Sequence, residues 1–242
     1  MHKELNAGRK QVAGRWIRWD EARAQQAYAS GHWVRETLAD ALQTAATQTP
    51  QRLLIGEGDT RIDCRSLHAQ ASRLAQALLA RAPTGSVVSI MLPNWHEAAT
   101  IYLAATLAGM VVNPILPSLR ERELQFILDD VDSRLLFIPA RFRQFDYVAM
   151  LSRVIAALDR PPEVVVLRGD AGPHTAFDAL LQPAPNERSL PSRDADAVRM
   201  VMYTSGTTGR PKGVLHTHNS LHALLCQLRD HWLVDAGDKF LV

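Results

Sequence analysis

The stretch Thr204-Ser205-Gly206-Thr207-Thr208-Gly209-Arg210-Pro211-Lys212-Gly213 decides how the whole chain is interpreted. An apolar run at residues 198–203 precedes it and predicts a buried strand. Glycines let the backbone approach a ligand closely, hydroxyl groups donate hydrogen bonds to phosphate oxygens, and Lys212 adds a positive charge. The stretch therefore predicts a phosphate-binding loop at the end of a buried strand.

Two other interpretations of the loop are open to test against its residues. A Walker A loop ends in Gly-Lys-Ser/Thr and opens a helix, whereas here Pro211 precedes the lysine and Gly213 follows it. A hairpin turn without a ligand explains a generic glycine-rich run. It does not explain three glycines, four hydroxyl residues and a Pro-Lys-Gly ending within ten positions. Phosphate binding is the favoured interpretation.

Upstream of the loop, apolar runs alternate with amphipathic helical segments. This alternation predicts an α/β fold with a mainly parallel sheet flanked by helices, in which ligands lie beyond the carboxyl ends of the strands. Asn94, Ser118 and Asn219 are predicted to cap three of the helices. Strands are expected near residues 52–56, 61–62, 87–92, 110–112, 135–138, 163–167, 198–203, 214–216 and 239–242, and helices near 36–48, 66–81, 94–107, 118–128, 147–158 and 219–232.

The segment from Tyr203 to Val214 resembles the phosphate-binding signature of the adenylate-forming superfamily. That group includes acyl-CoA synthetases, adenylation domains of peptide synthetases and luciferases. Residues 92–94 and 107–109 are similar to early conserved stretches of the family, and residues 113–124 are most like acyl-CoA synthetases. The resemblance implies the N-terminal part of the family's large domain, which is expected to be incomplete. We expect an N-terminal arm over residues 1–36 and a partial AMP-binding domain over residues 37–242, without the family's C-terminal domain.

The resemblance also implies a site and a reaction. A carboxylic acid would react with ATP to give an acyl-adenylate, and coenzyme A would then take the acyl group as a thioester. ATP, coenzyme A and Mg²⁺ are thus the expected small molecules. The family's adenylation lysine and its magnesium-binding glutamate belong to later segments, so no catalytic or metal-binding residue is assigned. The residues implied to bind the phosphates of ATP are Thr204, Ser205, Gly206, Thr207, Thr208, Gly209 and Lys212.

Several other side chains are candidates for a site. His216 and His218 are predicted to share one face of a strand, where they could line the site; a metal role for them is disfavoured because no third ligand is evident. His96 is predicted to be a surface or capping residue. The acidic run at residues 129–132 is predicted to be a solvated helix end rather than a cation site.

The composition is that of an ordinary globular protein, with 47% hydrophobic and 21% charged residues. A net charge of +2 predicts no strong attraction to nucleic acid. The polar start predicts no signal peptide, and the absence of an apolar run of about 18 residues predicts no transmembrane segment. A cytoplasmic location is expected, and the oligomeric state is open.

We interpret the chain as a fragment of an AMP-forming acid–CoA ligase. The sequence stops within an apolar run at residues 239–242, which predicts truncation, so the 242-residue chain is expected to be inactive alone. Two alternatives are an inactive remnant that at most binds nucleotide or phosphate, and an adenylation domain that feeds a carrier protein. Aromatic, alicyclic and short-to-medium aliphatic acids remain open as substrates.

Overall fold

A computed structural model describes residues 8–183, 188–204, 210–235 and 237–242 of the 242-residue chain. The strands of this part are β1 (Arg9–Val12), β2 (Arg15–Arg18), β3 (Leu53–Glu57), β4 (Thr60–Asp63), β5 (Val87–Ile90), β6 (Val111–Pro114), β7 (Ser133–Pro139), β8 (Arg141–Phe142), β9 (Phe145–Asp146), β10 (Glu163–Leu167), β11 (Thr175–Ala176), β12 (Val198–Thr204) and β13 (Lys212–Thr217). The helices are α1 (Glu21–Ala29), α2 (Leu38–Gln48), α3 (Cys64–Arg81), α4 (His96–Leu107), α5 (Glu121–Asp130), α6 (Tyr147–Ile155), α7 (Phe177–Leu180) and α8 (His218–Trp232).

Seven strands form the central sheet in the order β11-β10-β7-β5-β6-β12-β13. Neighbouring strands run parallel from β11 to β12, and β13 alone runs antiparallel to its neighbour. The predicted fold class, a mainly parallel sheet flanked by helices, is therefore confirmed. Three separate hairpins, β1–β2, β3–β4 and β8–β9, surround the sheet.

Both faces of the inner strands are buried beneath helices. Phe137 points to the face covered by α2, α3, α4 and α7, whereas its neighbour Leu136 points to the face covered by α5 and α6. Strand residues alternate between faces, so an apolar run without polar breaks is what a strand covered on both sides requires. The apolar strands found by sequence analysis follow this rule.

The N-terminal segment packs against the sheet. Val12 and Ile17 of the β1–β2 hairpin join a buried cluster with Val87, Val111 and Val198, which begin β5, β6 and β12. The guanidinium of Arg15, on the same hairpin, donates to the backbone oxygen of Gly85 at 2.7 Å. The domain boundary after residue 36 stays a prediction.

The three predicted helix caps are wrong. The N-cap residues are Trp95, Arg120 and Thr217, and the first two make no capping bond with their side chains. Asn219 is instead fully buried inside α8 and bonded to other parts of the chain. Local sequence rules identified polar residues near helix ends, and for Asn219 distant partners, not the helix end, decide how the side chain is used.

The C-terminal residues also depart from the prediction. Residues 239–242 form no strand, and Leu241 and Val242 are exposed. The helix α8 forms as predicted, but Leu224, Leu225 and Trp232 on its apolar side are 50%, 58% and 60% exposed.

Candidate functional site

The sequence motif lies at the tip of an antiparallel hairpin formed by β12 and β13, which we call the phosphate hairpin. Its strands pair from Val198–Thr217 at the base to Thr204–Lys212 at the tip. Residues 205–209, which carry most of the predicted phosphate contacts, lie outside the described residues. Thr204 and Lys212 flank them directly opposite one another, and both are exposed at the carboxyl end of β12. Two candidate phosphate ligands are thus brought together by strand pairing.

Two further motif positions are explained by packing rather than by ligand contacts. Tyr203 pairs with Gly213, and a Cβ atom built on this glycine would lie 3.2 Å from the tyrosine ring and 3.2 Å from Val201. The Tyr203 ring packs edge-on against Phe126, and its hydroxyl donates to the Asp130 carboxylate. Burial, with help from that bond, raises the pKa of Tyr203. This packing ties the hairpin to α5 immediately before the loop.

A cleft of about 670 Å³ opens beside the carboxyl ends of β5, β6 and β7. The chain leaves β5 toward one edge of the sheet and leaves β7 toward the other, so the cleft lies where the strand order reverses. Crevices at such switch points are the usual ligand sites of open α/β sheets. Its walls come from three loops: Pro93, Asn94, Trp95, Pro117, Ser118, Arg120, Phe142, Arg143, Phe145 and Tyr147, with Val242 nearby.

Aromatic rings and guanidinium groups dominate this cleft. The guanidinium of Arg120 lies 4.1 Å from the ring centroid of Phe145, and that of Arg143 lies 5.3 Å from the centroid of Phe142. Trp95 packs edge-on against Phe142, with 6.1 Å between centroids. No aspartate or glutamate is among the described lining residues. The cleft therefore offers positive charge and flat apolar surfaces, which suit an anionic ligand that carries a ring.

One wall of the cleft is held by an ion-pair network. The guanidinium of Arg168, just after β10, lies 2.7 Å from carboxylate oxygens of both Glu57 and Glu97 and 4.0 Å from the ring centroid of Trp95. The bond from Arg168 is the main reason why the pKa of Glu57 falls to about 2. The Arg168 guanidinium, which is held by the two carboxylates, thus fixes the position of the Trp95 ring.

The same network contains His96, which was predicted to be a surface or capping residue; the N-cap is Trp95, and the His96 side chain is only 22% exposed. Its ring Nδ1 lies 2.8 Å from Glu57, and its backbone N–H donates to the same carboxylate. Glu57, His96 and Glu97 lie close enough to share a metal ion. However, the Arg168 guanidinium already supplies their positive charge, so we assign no metal here.

The match to a family model decides the identity of the fold. The model described as "AMP-binding enzyme" covers residues 42–242. This chain belongs to the AMP-binding enzyme family. The expected resemblance, stated above from the loop and a few short motifs, is confirmed.

Relatives in the AMP-binding enzyme family include CoA ligases and adenylating enzymes. The chain is 31% identical over 212 residues to the medium-chain fatty-acid–CoA ligase of Escherichia coli K12, which covers 86% of this chain and 37% of that protein. It is 28% identical over 242 residues to the salicyl-AMP ligase/salicyl-S-ArCP synthetase of Mycobacterium tuberculosis, covering 95% and 41%. The chain therefore spans about two fifths of the length of these relatives.

Solved structures agree with the family assignment. The structure of MbtA from Mycobacterium smegmatis aligns with a TM-score of 0.75 and 25% identity, over 90% of this chain and 39% of that one. None of the helices in the described part of the chain is long and apolar enough to cross a bilayer.

The structure separates the two histidines that follow the family motif. His216 lies on β13, but His218 begins α8, so the prediction that both share one face of a strand is wrong. His218 is buried and its Nδ1 lies 3.3 Å from the backbone N–H of Leu38. Thr217 pairs with Val198 at the base of the hairpin, the far end from Lys212. We therefore do not place His218 among the residues that line the phosphate loop.

The aromatic cleft and the Arg168 network were not predicted from the sequence. Their residues come from segments that are far apart in the chain. Some of the cleft residues lie in the family-like stretches 92–94 and 113–124, but those stretches do not indicate that the segments meet. The available signal was positional: Trp95, Phe142 and Arg168 each follow shortly after a strand of the parallel sheet, at the edge where ligands bind.

Proposed function

We propose that this AMP-binding family member acts in an AMP-forming acid–CoA ligase. A carboxylic acid is first joined to AMP at the expense of ATP, and its acyl group then moves to the thiol of coenzyme A. The observation that carries the proposal is the phosphate hairpin, which presents Thr204 and Lys212 side by side at the carboxyl edge of the sheet.

In the first step, a carboxylate oxygen attacks the α-phosphorus of ATP. A bond forms between this oxygen and the α-phosphorus. The bond between the α-phosphorus and the oxygen that bridges to the β-phosphate breaks, and pyrophosphate leaves with that oxygen. Negative charge accumulates on the leaving group, so donors fixed around it lower the barrier. Lys212, the hydroxyl of Thr204 and the loop residues Ser205, Gly206, Thr207, Thr208 and Gly209 are proposed to hold the β- and γ-phosphates. The assignments of Thr204 and Lys212 rest on the family motif and on the hairpin geometry, and those of residues 205–209 rest on the motif alone.

Mg²⁺ is proposed to arrive with the ATP phosphates, and the family's magnesium-binding glutamate belongs to segments later than those this chain covers. The carboxylate of Asp130 lies against the strand that enters the loop, but it already accepts a hydrogen bond from the Tyr203 hydroxyl. We therefore do not assign Asp130 as a metal ligand. The metal would neutralise phosphate charge, and Lys212 would supply the protein's own share of that charge.

In the second step, the thiol of coenzyme A attacks the acyl carbon and AMP leaves. We propose that the nucleotide end of coenzyme A occupies the aromatic cleft. Its adenine would stack among Trp95, Phe142 and Phe145, and its phosphates would lie near Arg120 and Arg143. Three strand spacings of about 4.8 Å separate β7 from β12, so a ligand of about 14 Å or more reaches from cleft to hairpin.

MgATP binding to the 242-residue chain, measured by calorimetry, tests the first step. Lys212→Ala removes a charge from an exposed side chain, so we expect weaker MgATP binding by about tenfold with an unchanged melting temperature. Lys239→Ala, another exposed lysine outside the hairpin, is the matched control. Equal MgATP affinity for Lys212→Ala and the unsubstituted chain would overturn the loop assignment.

The cleft is tested with coenzyme A. The double substitution Arg120→Ala and Arg143→Ala should weaken coenzyme A binding by about a hundredfold and leave MgATP binding intact, because each charged contact to phosphate contributes about 1.5–3 kcal/mol. Arg122→Ala with Arg160→Ala, which removes the same charge outside the cleft, serves as control. Unchanged coenzyme A affinity in the double variant would exclude the cleft as its site.

A second candidate is adenylation for a carrier protein, because the similarity to the salicyl-S-ArCP synthetase extends over 95% of this chain. Both candidates share the ATP step and differ in the acceptor of the acyl group. Acyl transfer to coenzyme A, but not to a phosphopantetheinylated carrier protein, by this chain joined to the later segments of a relative supports the ligase. The reverse preference supports the second candidate.

A further inference from the structure

We propose that Asn219 is a positioning residue for the phosphate hairpin, and that it works by joining the base of the hairpin to the N-terminal segment of residues 8–36. The proposal concerns strand register and order in the hairpin, and only its consequence for ATP rests on the proposed function. Nothing in the family motif assigns such a role to the N-terminal segment.

The side chain of Asn219 is fully buried and its amide is fully engaged. Its Nδ2 donates to the Asp196 carboxylate at 2.8 Å and to the Tyr28 hydroxyl oxygen at 3.1 Å. Its Oδ1 accepts from the backbone N–H of Val34 at 2.8 Å. Its own backbone N–H donates to the Ala195 oxygen at 3.1 Å. One residue thus joins three segments that are distant in sequence.

These bonds close the open end of the hairpin. Asp196 lies two residues before β12 and Asn219 two residues after β13, so their bond lies just beyond the last strand pair, Val198–Thr217. The strand register is irregular between Val198 and Met200. Burial specifies the register of this hairpin only weakly, because β13 is exposed over most of its length. A bond across the base opposes slippage, and slippage would displace Lys212 relative to Thr204 at the tip.

The N-terminal segment completes this arrangement by satisfying a buried carboxylate. Asp196 is 6% exposed, and its Oδ1 accepts from both the Tyr28 hydroxyl, at 2.8 Å, and Asn219. Its Oδ2 lies 3.7 Å from the ammonium of Lys10. A buried carboxylate without such partners is strongly unfavourable. The segment therefore supplies a hydroxyl and a charge that the base of the hairpin needs.

The state of Tyr28 is consistent with its role as a donor. Burial, together with the neighbouring Asp196, raises the pKa of Tyr28 to about 12. Its hydroxyl therefore keeps its proton throughout the neutral range. The guanidinium of Arg35 lies 4.7 Å from the centroid of the Tyr28 ring, and Trp33 packs edge-on against the same ring. The ring is thus held on two sides, which fixes the direction of the hydroxyl.

Hydrogen exchange of the 242-residue chain, combined with MgATP binding, tests the proposal. Asn219→Asp places a second carboxylate beside Asp196, and Tyr28→Phe removes a single hydroxyl. We expect amides of β12 and β13 to exchange about tenfold faster in both variants, while amides of β7 and β10 keep their rates. MgATP affinity should fall by a similar factor.

Swapping the side chains of residues 196 and 219 is the sharpest positive test. In the double variant Asn219→Asp with Asp196→Asn, a carboxylate and an amide still face each other with their positions reversed. The rates of amide hydrogen exchange in the hairpin should return toward the values of the unsubstituted chain, and so should the affinity for MgATP. Failure of this rescue, where Asn219→Asp alone shows the defect, would contradict a specific bond across the base.

Ser133→Ala is the matched control for a general loss of stability. Ser133 is buried in β7, where its hydroxyl donates to the Leu135 oxygen at 3.0 Å and lies 2.8 Å from the Ser89 hydroxyl. Faster exchange throughout the sheet in Asn219→Asp, as expected for Ser133→Ala, would overturn the proposal. So would a loosened hairpin that binds MgATP normally. If the unsubstituted chain binds no MgATP, the proposed function fails, and the exchange pattern alone decides whether the base is held.

Discussion

Two regions of the molecule have similar apolar patterns in sequence but differ in what covers them. In the inner sheet, side chains such as Leu136 and Phe137 are fully buried between helices on both faces. Around the phosphate hairpin and α8, Leu215, Leu225 and Trp232 are more than half exposed. Apolar periodicity indicates which side chains favour burial, but it does not show which surface will bury them.

The exposed region includes a groove beside α8. Its volume is about 350 Å³, and it is lined by Leu38, Tyr102, Leu221 and Leu224, with His218 at one side. Contiguous apolar surface of this kind marks sites where another surface packs. The inner sheet, which we call the closed region, thus acts as a scaffold. The region that carries the phosphate loop keeps an uncovered apolar face.

The largest expected effect contrasts an aromatic residue from each region. Phe137→Ala should lower the free energy of unfolding by about 3–5 kcal/mol, because it removes a fully buried ring and leaves a cavity. Trp232→Ala, at 60% exposure, should change it by about 0.5 kcal/mol or less. Urea unfolding of both variants measures the difference. A loss above about 2 kcal/mol for Trp232→Ala would show that α8 is covered in solution.

A smaller effect is expected from pH. Burial, and to a lesser extent His222 and Arg199, lower the pKa of His218 below its ordinary value of 6.5, against an opposing effect of Asp40. The unfolded chain therefore takes up a proton that the folded chain excludes. The contribution of His218 to the free energy of unfolding should be fully present above pH 6.5. It should decrease as the pH drops toward the lower pKa of the folded state, by at most about 1.4 kcal/mol per pH unit for one group.

Histidine variants separate the two regions in this pH dependence. His218→Asn keeps an acceptor for the Leu38 N–H and removes the titrating ring, so it should flatten part of the slope. His68, on α3, also has a pKa lowered by burial, and His68→Asn is the counterpart in the closed region. Thermal melts between pH 5 and 7 compare them. If His218→Asn leaves the slope unchanged, the buried neutral state of His218 is wrong.

The smallest effect concerns the turns of two hairpins. The β8–β9 turn at the cleft holds Arg143 and Gln144 at positive φ, 47° and 66°, a conformation that favours glycine. Gln144→Gly should raise the free energy of unfolding by about 1 kcal/mol, whereas Gly58→Ala, in the β3–β4 turn with φ of 53°, should lower it similarly. Changes of the same sign in both variants would contradict this account of the backbone.

The sequence predicted the features that depend on local patterns. The strand and helix order, the parallel sheet and the β12–loop–β13 arrangement all follow from apolar period and from a dense glycine and hydroxyl motif. It failed where a side chain is used by a distant segment. Asn219, for example, bonds to Tyr28 and Asp196 rather than capping α8, and Glu97 at the start of α4 pairs with Arg168.

The cleft and the C-terminal run show a second kind of failure. Trp95, Arg120 and Phe142 come together only because three parallel strands end at one edge, so no short stretch of sequence carries their signal. Residues 239–242 have a strand-like composition, with three apolar residues after Lys239, yet a strand also needs a neighbour to pair with. None of the described strands pairs with them.

The most direct test of the central claim is a hydrogen-exchange footprint of MgATP on the 242-residue chain. If the hairpin binds the phosphates, saturating MgATP should slow amide exchange around Thr204 and Lys212 and leave β7 and β10 unchanged. At an MgATP concentration equal to the dissociation constant of the unsubstituted chain, Lys212→Ala, which binds about tenfold more weakly, should lose most of this protection. Protection that is absent from the hairpin at saturation, or that is equal in the two proteins at the lower concentration, would contradict the account.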